Sequence, residues 1–236
     1  GWTALHYVSE AGYLELARLL LGAGANPDAE TPDGRRPIDL AAHPGPWKPR
    51  PAAEIISLLR AHGATVGIHL AASIGDDGEI GRLLDGDSSL MDAQDREGAS
   101  PLFHAAKNLQ GACVSLLIGR GCNVNARRAD GQTAVSAAVG HIWDRGGPEV
   151  VALLVGAGAE LDLYEAARLG DGKRIRKILS LSPLHPARIH ESRWGDSALG
   201  AAAKHGHTEA GRLLIDAGYE ADLHAAAGLG LVDEAR

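Results

Sequence analysis

The run Gly195-Asp196-Ser197-Ala198-Leu199 centres a serine in the manner of a hydrolytic nucleophile block. Acyl transfer from a serine also needs a paired base and donors for the oxyanion, and no such constellation is visible around Ser197. His205-Gly206-His207 suggests a metal, but no further ligands are grouped with it at a recognisable spacing. Gly22-x-Gly24 and Gly156-x-Gly158 are fragments of a dinucleotide fingerprint. Both follow helical patterns rather than strands, so they lack the context that fingerprint needs. Asp76-Asp77-Gly78-Glu79 with Asp85 and Asp87 is acidic, yet it has neither the alternating oxygens nor the closing glutamate of a calcium loop. It reads as a solvated helix end. Cys113 and Cys122 are too few for a disulfide framework, and no second pair or histidine cluster completes a zinc site. Both read as small hydrophobes in a reducing compartment. No catalytic set survives, and neither a cofactor nor a metal is expected.

The serine block takes on another meaning when its recurrences are aligned. Gly1-Trp2-Thr3-Ala4-Leu5, Gly98-Ala99-Ser100-Pro101-Leu102 and Gly131-Gln132-Thr133-Ala134-Val135 repeat the pattern, with Gly34-Arg35-Arg36-Pro37-Ile38 as a degraded copy. Gly1 to Gly34 and Gly98 to Gly131 both span 33 residues. Thr3, Ser100, Thr133 and Ser197 are predicted N-caps, accepting from amides of the first turn. Pro37 and Pro101 then fall at the first helical position, where the missing N–H costs nothing. Ser197 is thereby a cap.

Each unit continues to a paired aliphatic step: Leu19-Leu20, Leu58-Leu59, Leu83-Leu84, Leu116-Leu117, Leu153-Leu154 and Leu213-Leu214. A stop such as Gly24-Ala25, Gly63-Ala64, Gly121-Cys122, Gly158-Ala159 or Gly218-Tyr219 follows, with glycine suited to a left-handed helix end. A glycine such as Gly12, Gly111 or Gly206 divides the unit into two short helices. Such a pair cannot bury its apolar face alone. Stacking buries it, and the recurring alanines (Ala41-Ala42, Ala71-Ala72, Ala105-Ala106, Ala166-Ala167, Ala201-Ala202) allow close approach.

Composition agrees. Hydrophobic residues make up 45% of the 236 and aromatics only 4%, so the core must be Ala, Leu, Ile and Val, and the lean is all-α. The net charge of −7, without any long run of Lys or Arg, disfavours nucleic acid as main partner. No apolar stretch approaches the ~18 residues of a membrane span.

This pattern resembles the ankyrin repeat family, best in Gly1-x-Thr3-Ala4-Leu5-His6 followed by Leu19-Leu20-Leu21-x-Ala23-Gly24-Ala25-Asn26. The family's histidine slot holds His6, His69 and His224, but Asp39, Phe103, Ser136, Tyr164 and Gly200 elsewhere. The resemblance implies an all-α solenoid of stacked helix-turn-helix units, with short β-hairpin fingers at most but not all junctions. It covers the chain as a single array, 1–236, in units of about 1–33, 34–66, 67–97, 98–130, 131–161, 162–194 and 195–221 plus a partial 222–236.

Two departures from regularity stand out. Regular joints take fourteen residues from terminal glycine to the next aliphatic (Gly24 to Ile38, Gly121 to Val135), whereas Gly63 to Ile68, Gly158 to Leu163 and Gly218 to Leu223 take five. Five residues leave no room for a finger, so notches in the binding surface are expected there, or neutral loss of unneeded fingers. The second and fifth units also carry insertions between their helices, each with one tryptophan, Trp47 and Trp143. Lying three repeats apart, at ~10 Å per helix layer they would sit about 30 Å from each other along one edge, as candidate anchors.

The resemblance further implies that a protein partner is held by finger tips and by the exposed face of each repeat's first helix. The matching slots are Trp2, Glu10, Arg35, Arg96, Glu97, Lys107, Asn108, Gln132, Arg193, Trp194, Asp196, Lys204 and His205. Arg96, Arg193 and Trp194 rank highest because Arg and Trp are enriched at interface hot spots. The function expected is a non-catalytic protein-interaction scaffold, monomeric and cytoplasmic, with no membrane, nucleic-acid or small-molecule ligand. The alternative is a targeting or regulatory arm of a larger protein, with an enzymatic domain outside these residues.

Overall fold

The side chains that start the helices decide the architecture. A computed structural model describes residues 1–42, 52–181, 197–219 and 228–230. In it the hydroxyl of Ser100 accepts the Phe103 amide at 3.2 Å, that of Thr133 the Ser136 amide at 3.3 Å, and that of Ser197 the Gly200 amide at 2.9 Å. Thr3 differs: its hydroxyl and its amide both meet Nδ1 of His6, at 2.8 and 3.0 Å. The other ring nitrogen of His6 then reaches the Arg35 carbonyl at 3.1 Å, tying the first repeat to the second.

The chain forms two compact units, Gly1–Gly131 and Gln132–Arg236. The first contains the pairs α1 (Ala4–Ala11) and α2 (Leu14–Gly22), α3 (Pro37–Ala42) and α4 (Ala52–Ala61), α5 (Ile68–Ile74) and α6 (Asp77–Gly86), and α7 (Pro101–Lys107) and α8 (Gly111–Gly119). A 3₁₀ turn, Ser88–Asp92, follows α6. Its first helices pack in sequence, α1 on α3, α3 on α5 and α5 on α7. The second unit contains α9 (Ala134–Gly140) and α10 (Gly147–Gly156), α11 (Leu163–Arg168) and α12 (Gly172–Leu181), and α13 (Ala198–Lys204) and α14 (Thr208–Asp216). There α11 packs on both α9 and α13. Each unit is thus an all-helical stack of pairs among the described residues.

The core follows the sequence pattern. Leu5, Ile38, Ile68, Leu102, Val135 and Leu199, the aliphatics that open six of the seven pairs, are buried, and Leu163 of α11 is half-buried. So are the paired alanines of α5, α7, α11 and α13, which let successive first helices touch. One break point differs from expectation. Gly111 is the first residue of α8, and the left-handed residue between α7 and α8 is Leu109, at φ 56°. Leu109 stands in the register of Gly12, so the turn geometry is conserved between repeats although the glycine is not.

The finger segments are tight turns. Gly34 N–H closes on Thr31 O at 2.7 Å, Gly98 on Asp95 O at 3.0 Å and Gly131 on Arg128 O at 2.9 Å. No strand longer than a single residue occurs among the described residues. The short joints hold no finger at 63–68 or 158–163; the third, at 218–223, lies mostly outside the described residues. At the first, the Asp28 carboxylate accepts the Thr65 amide at 3.0 Å, and Arg36 donates to the Thr65 carbonyl at 2.9 Å.

Candidate partner-binding surface

In the first unit the finger turns are tied to one another. Asp95 builds its turn from within: one carboxylate oxygen accepts the amides of Glu97 at 2.8 Å and Ala99 at 2.9 Å. The other meets Nε2 of His104 at 2.7 Å. Burial pushes this carboxyl up, but the His104 ring and those two amides outweigh it and hold it below the usual range. His104 also faces Ser73 Oγ at 3.3 Å, which gives the atom types of a serine–histidine–aspartate relay. Ser73 is buried on α5, and its carbonyl accepts from the Gln110 amide at 3.3 Å. The relay holds the finger to α5 and α7.

From this turn Arg96 extends to the preceding finger, where its guanidinium donates to the Asp33 carbonyl and lies against Gly34. On the far side Arg128 reaches back to Glu97 at 2.6 Å, its guanidinium 5.5 Å above the Phe103 ring. The three fingers form a ladder with arginine rungs. Arg96 thus links the fingers on either side of the finger-free joint at 63–68.

Trp2 is half-buried and belongs to the same edge. Its ring lies 5.0 Å from that of Tyr7 and 6.0 Å from His6, and the Arg35 guanidinium sits 5.6 Å over it. Arg35 in turn holds the Asp33 carboxylate at 2.5 Å. The Thr31 hydroxyl first, and Arg35 with it, keep Asp33 below the usual carboxylate range. Glu10 is half-buried at the end of α1, whereas Lys107 and Asn108 are exposed at the end of α7. Among the sites expected from sequence, Trp2, Arg35, Arg96 and Glu97 are therefore brought together. The sequence reading missed Asp33, Tyr7 and Arg128; an acid and an arginine within single finger turns were the available signals.

In the second unit Gln132 is half-buried, Lys204 exposed and His205 half-buried. Trp143 is exposed, and its ring lies 4.9 Å from that of His205. Trp47, Arg193, Trp194 and Asp196 lie outside the described residues.

The chemistry-bearing motifs have structural employment. Ser197 caps α13. His207 meets the Arg168 carbonyl at 3.0 Å through Nε2. Asp76 caps α6 by accepting the Glu79 amide at 2.9 Å, and Arg60 pairs with it. Cys113 and Cys122 are buried and unpaired with each other, and burial pushes both thiols up to about 11. No group of three or more His, Cys, Asp or Glu among the described residues is placed to hold a metal ion. No helix among them is long and apolar enough to cross a membrane.

Comparison with known proteins places this geometry. A family model described as ankyrin repeats (three copies) matches residues 68–165, and a single ankyrin repeat model matches residues 1–32. The mouse B-cell lymphoma 3 protein homolog is 30% identical over 168 residues, 68% of this chain and 37% of that protein. A Caenorhabditis elegans homolog of transient receptor potential cation channel subfamily A member 1 is 26% identical over 180 residues, 69% of this chain and 14% of that protein. The chain thus spans well under half of the length of these relatives.

Proposed function

Because the chain belongs to the ankyrin repeat family, whose repeats are protein-interaction modules in general, we propose that it is a non-catalytic recognition scaffold for a protein partner. The partner is gripped by the finger tips and by the exposed face of the first helices, through Trp2, Arg35, Arg96, Glu97 and Lys107 in the first unit. The observation that carries this reading is the arginine ladder. Fingers fixed to one another through Arg96 and Arg128 lose little freedom on binding. Ordering cost is a large part of what limits affinity. In the second unit the corresponding positions are Gln132, Lys204 and His205, with Trp143 beside His205. That both units form one continuous array, acting as a monomer, is part of the same proposal. Two buried, unpaired thiols support a reducing compartment such as the cytoplasm.

A second reading, a targeting or regulatory arm of a longer protein, is favoured by the relatives, of which this chain spans 37% and 14%. The test is affinity capture from the native lysate with the wild type and with a variant carrying Arg35→Ala, Arg96→Ala and Lys107→Ala. The scaffold reading expects a partner lost selectively by the variant while its circular dichroism is unchanged. Undiminished capture by the folded variant would refute the finger-tip site.

A further inference from the structure

The insertion between α9 and α10 is a compact turn. The Asp144 amide donates to the His141 carbonyl at 2.9 Å, and the Gly147 amide to the Asp144 carbonyl at 2.9 Å. His141 Nδ1 also meets the Asp144 carboxylate at 2.8 Å. Ile142 is buried as a plug beneath the turn. Gly147 has no space for a side chain, since a Cβ there would meet the His141 carbonyl and the Ile142 backbone.

The base of the turn is strapped to its neighbours. Arg168 donates to the Gly140 carbonyl at 3.3 Å and to the Tyr164 hydroxyl at 3.2 Å, and its own carbonyl is met by His207. Trp143 is the residue this arrangement pushes outward: it is 61% exposed. Its one ring neighbour among the described residues is His205, 4.9 Å away at an interplanar angle of 34°. A large exposed aromatic on a hydrogen-bonded turn, beside a ring from a separate repeat, is the kind of group that dominates protein interfaces.

The charges beside it select the partner. Arg145 follows Trp143 by two residues, and Lys204 precedes His205; both are exposed. Neither has a carboxylate at ion-pair distance among the described residues; the nearest acid in sequence, Asp144, keeps its charge but is hydrogen-bonded to His141. In a chain of net charge −7 this edge carries two cations, Arg145 and Lys204, against one carboxylate.

We propose that Trp143 and His205 form the floor of a docking site for an acidic polypeptide segment. An apolar side chain of that segment lies on Trp143, and its carboxylates meet Arg145 and Lys204. A single-stranded nucleic acid also combines stacking with negative charge, but phosphate tracking needs a cationic groove. Two cations beside one ring do not make one. The proposal rests on the chain being a protein-interaction module and names the partner chemistry for this edge, independently of the finger tips.

The test uses the intact chain and fluorescence anisotropy of a short labelled peptide in which glutamates flank a central leucine pair. A lysine counterpart and a labelled oligothymidine are run beside it. The glutamate peptide is expected to bind and to weaken about tenfold or more in Trp143→Ala and in the Arg145→Glu, Lys204→Glu double variant. Trp143→Phe should retain most binding, and added salt should weaken it. Equal binding of the lysine peptide, binding indifferent to Trp143→Ala, no binding at all, or Trp143-dependent binding of oligothymidine in its place would overturn the proposal. An Arg35, Arg96 and Lys107 variant should bind the glutamate peptide as the wild type does. If it does so while lysate capture is also unaffected, the finger-tip site falls and this one stands. If capture is lost but the peptide never binds, the reverse holds.

Discussion

Leu16 and Ile80 occupy the same place in their repeats, three residues ahead of the paired aliphatic step, and should respond very differently to truncation. In the other repeats that place holds Ile55, Ile80, Cys113, Val150, Ile175 and Ala210, and every one of them is enclosed. Leu16 is 46% exposed, beside Tyr7, Tyr13 and Leu19, which are exposed as well. The difference is that α2 has no helix pair packed on this face, whereas internal repeats do. Ile80→Ala removes a fully enclosed side chain and leaves a cavity, a change worth about 4 kcal/mol. Leu16 keeps nearly half its surface in water, and the space left by truncation opens to solvent, so no cavity is added. About half of the ~2 kcal/mol for burying a leucine is at stake, hence about 1 kcal/mol. Alanine's better helix propensity lowers this further.

Both residues lie in the unit Gly1–Gly131, so urea melts followed by circular dichroism compare them within the same compact unit. With a slope of about 2 kcal/mol per molar, the midpoint should fall by about 0.5 M for Leu16→Ala and about 2 M for Ile80→Ala. The ~3 kcal/mol gap is more than a hundredfold in equilibrium constant, well outside extrapolation error. Equal shifts would refute the reasoning, because they would mean that the outer face of the first helix pair is covered in solution.

Leu109→Gly should stabilise the chain by about 1 kcal/mol, since a left-handed leucine is strained and glycine is not; a lower melting midpoint would mean that its half-buried side chain matters more. Asp95 has its carboxyl depressed on folding, so its stabilisation is full above its unfolded value and is lost as pH falls through that range. Between about pH 5 and 3 the wild type should therefore lose more stability than Asp95→Asn, and equal slopes in pH-dependent urea melts would count against this. Cys113 and Cys122, buried with thiols near 11, should take up iodoacetamide at neutral pH only once urea unfolds the chain; rapid labelling of the native protein would contradict their placement.

What the sequence made legible was local. A hydroxyl before an aliphatic starts a helix at Ser100, Thr133 and Ser197 because the cap bond spans three residues, and a three-residue signal survives in a bare sequence. The enclosed alanines were legible through recurrence, since each repeat reports the same packing demand. Leu109 was not: the turn's demand for a left-handed residue is met there at a cost in strain, and Gly111 two residues on was a decoy. The long-range ties were illegible for a different reason. Arg96 and the Asp33 carbonyl are 63 residues apart, and Trp143 and His205 join repeats whose pairing no local rule gives.

The shortened joint at 63–68 changes what Arg96 means. Removing a finger from a regular array exposes the flanks of its neighbours, and a short polar side chain would leave the two tips separate. A long, forked cation reaching a backbone carbonyl closes that gap without needing a particular side chain opposite, which is why the contact can fall on the turn Asp33–Gly34 itself. Arg128 performs the corresponding task between adjacent fingers with a carboxylate partner, Glu97, and a ring beneath it. The two rungs thus differ in strength. A carboxylate holds a guanidinium more strongly than a neutral carbonyl does, so the Arg128 rung is the firmer of the two. The finger-free joint is therefore closed on a neutral carbonyl, and the regular joint on a carboxylate.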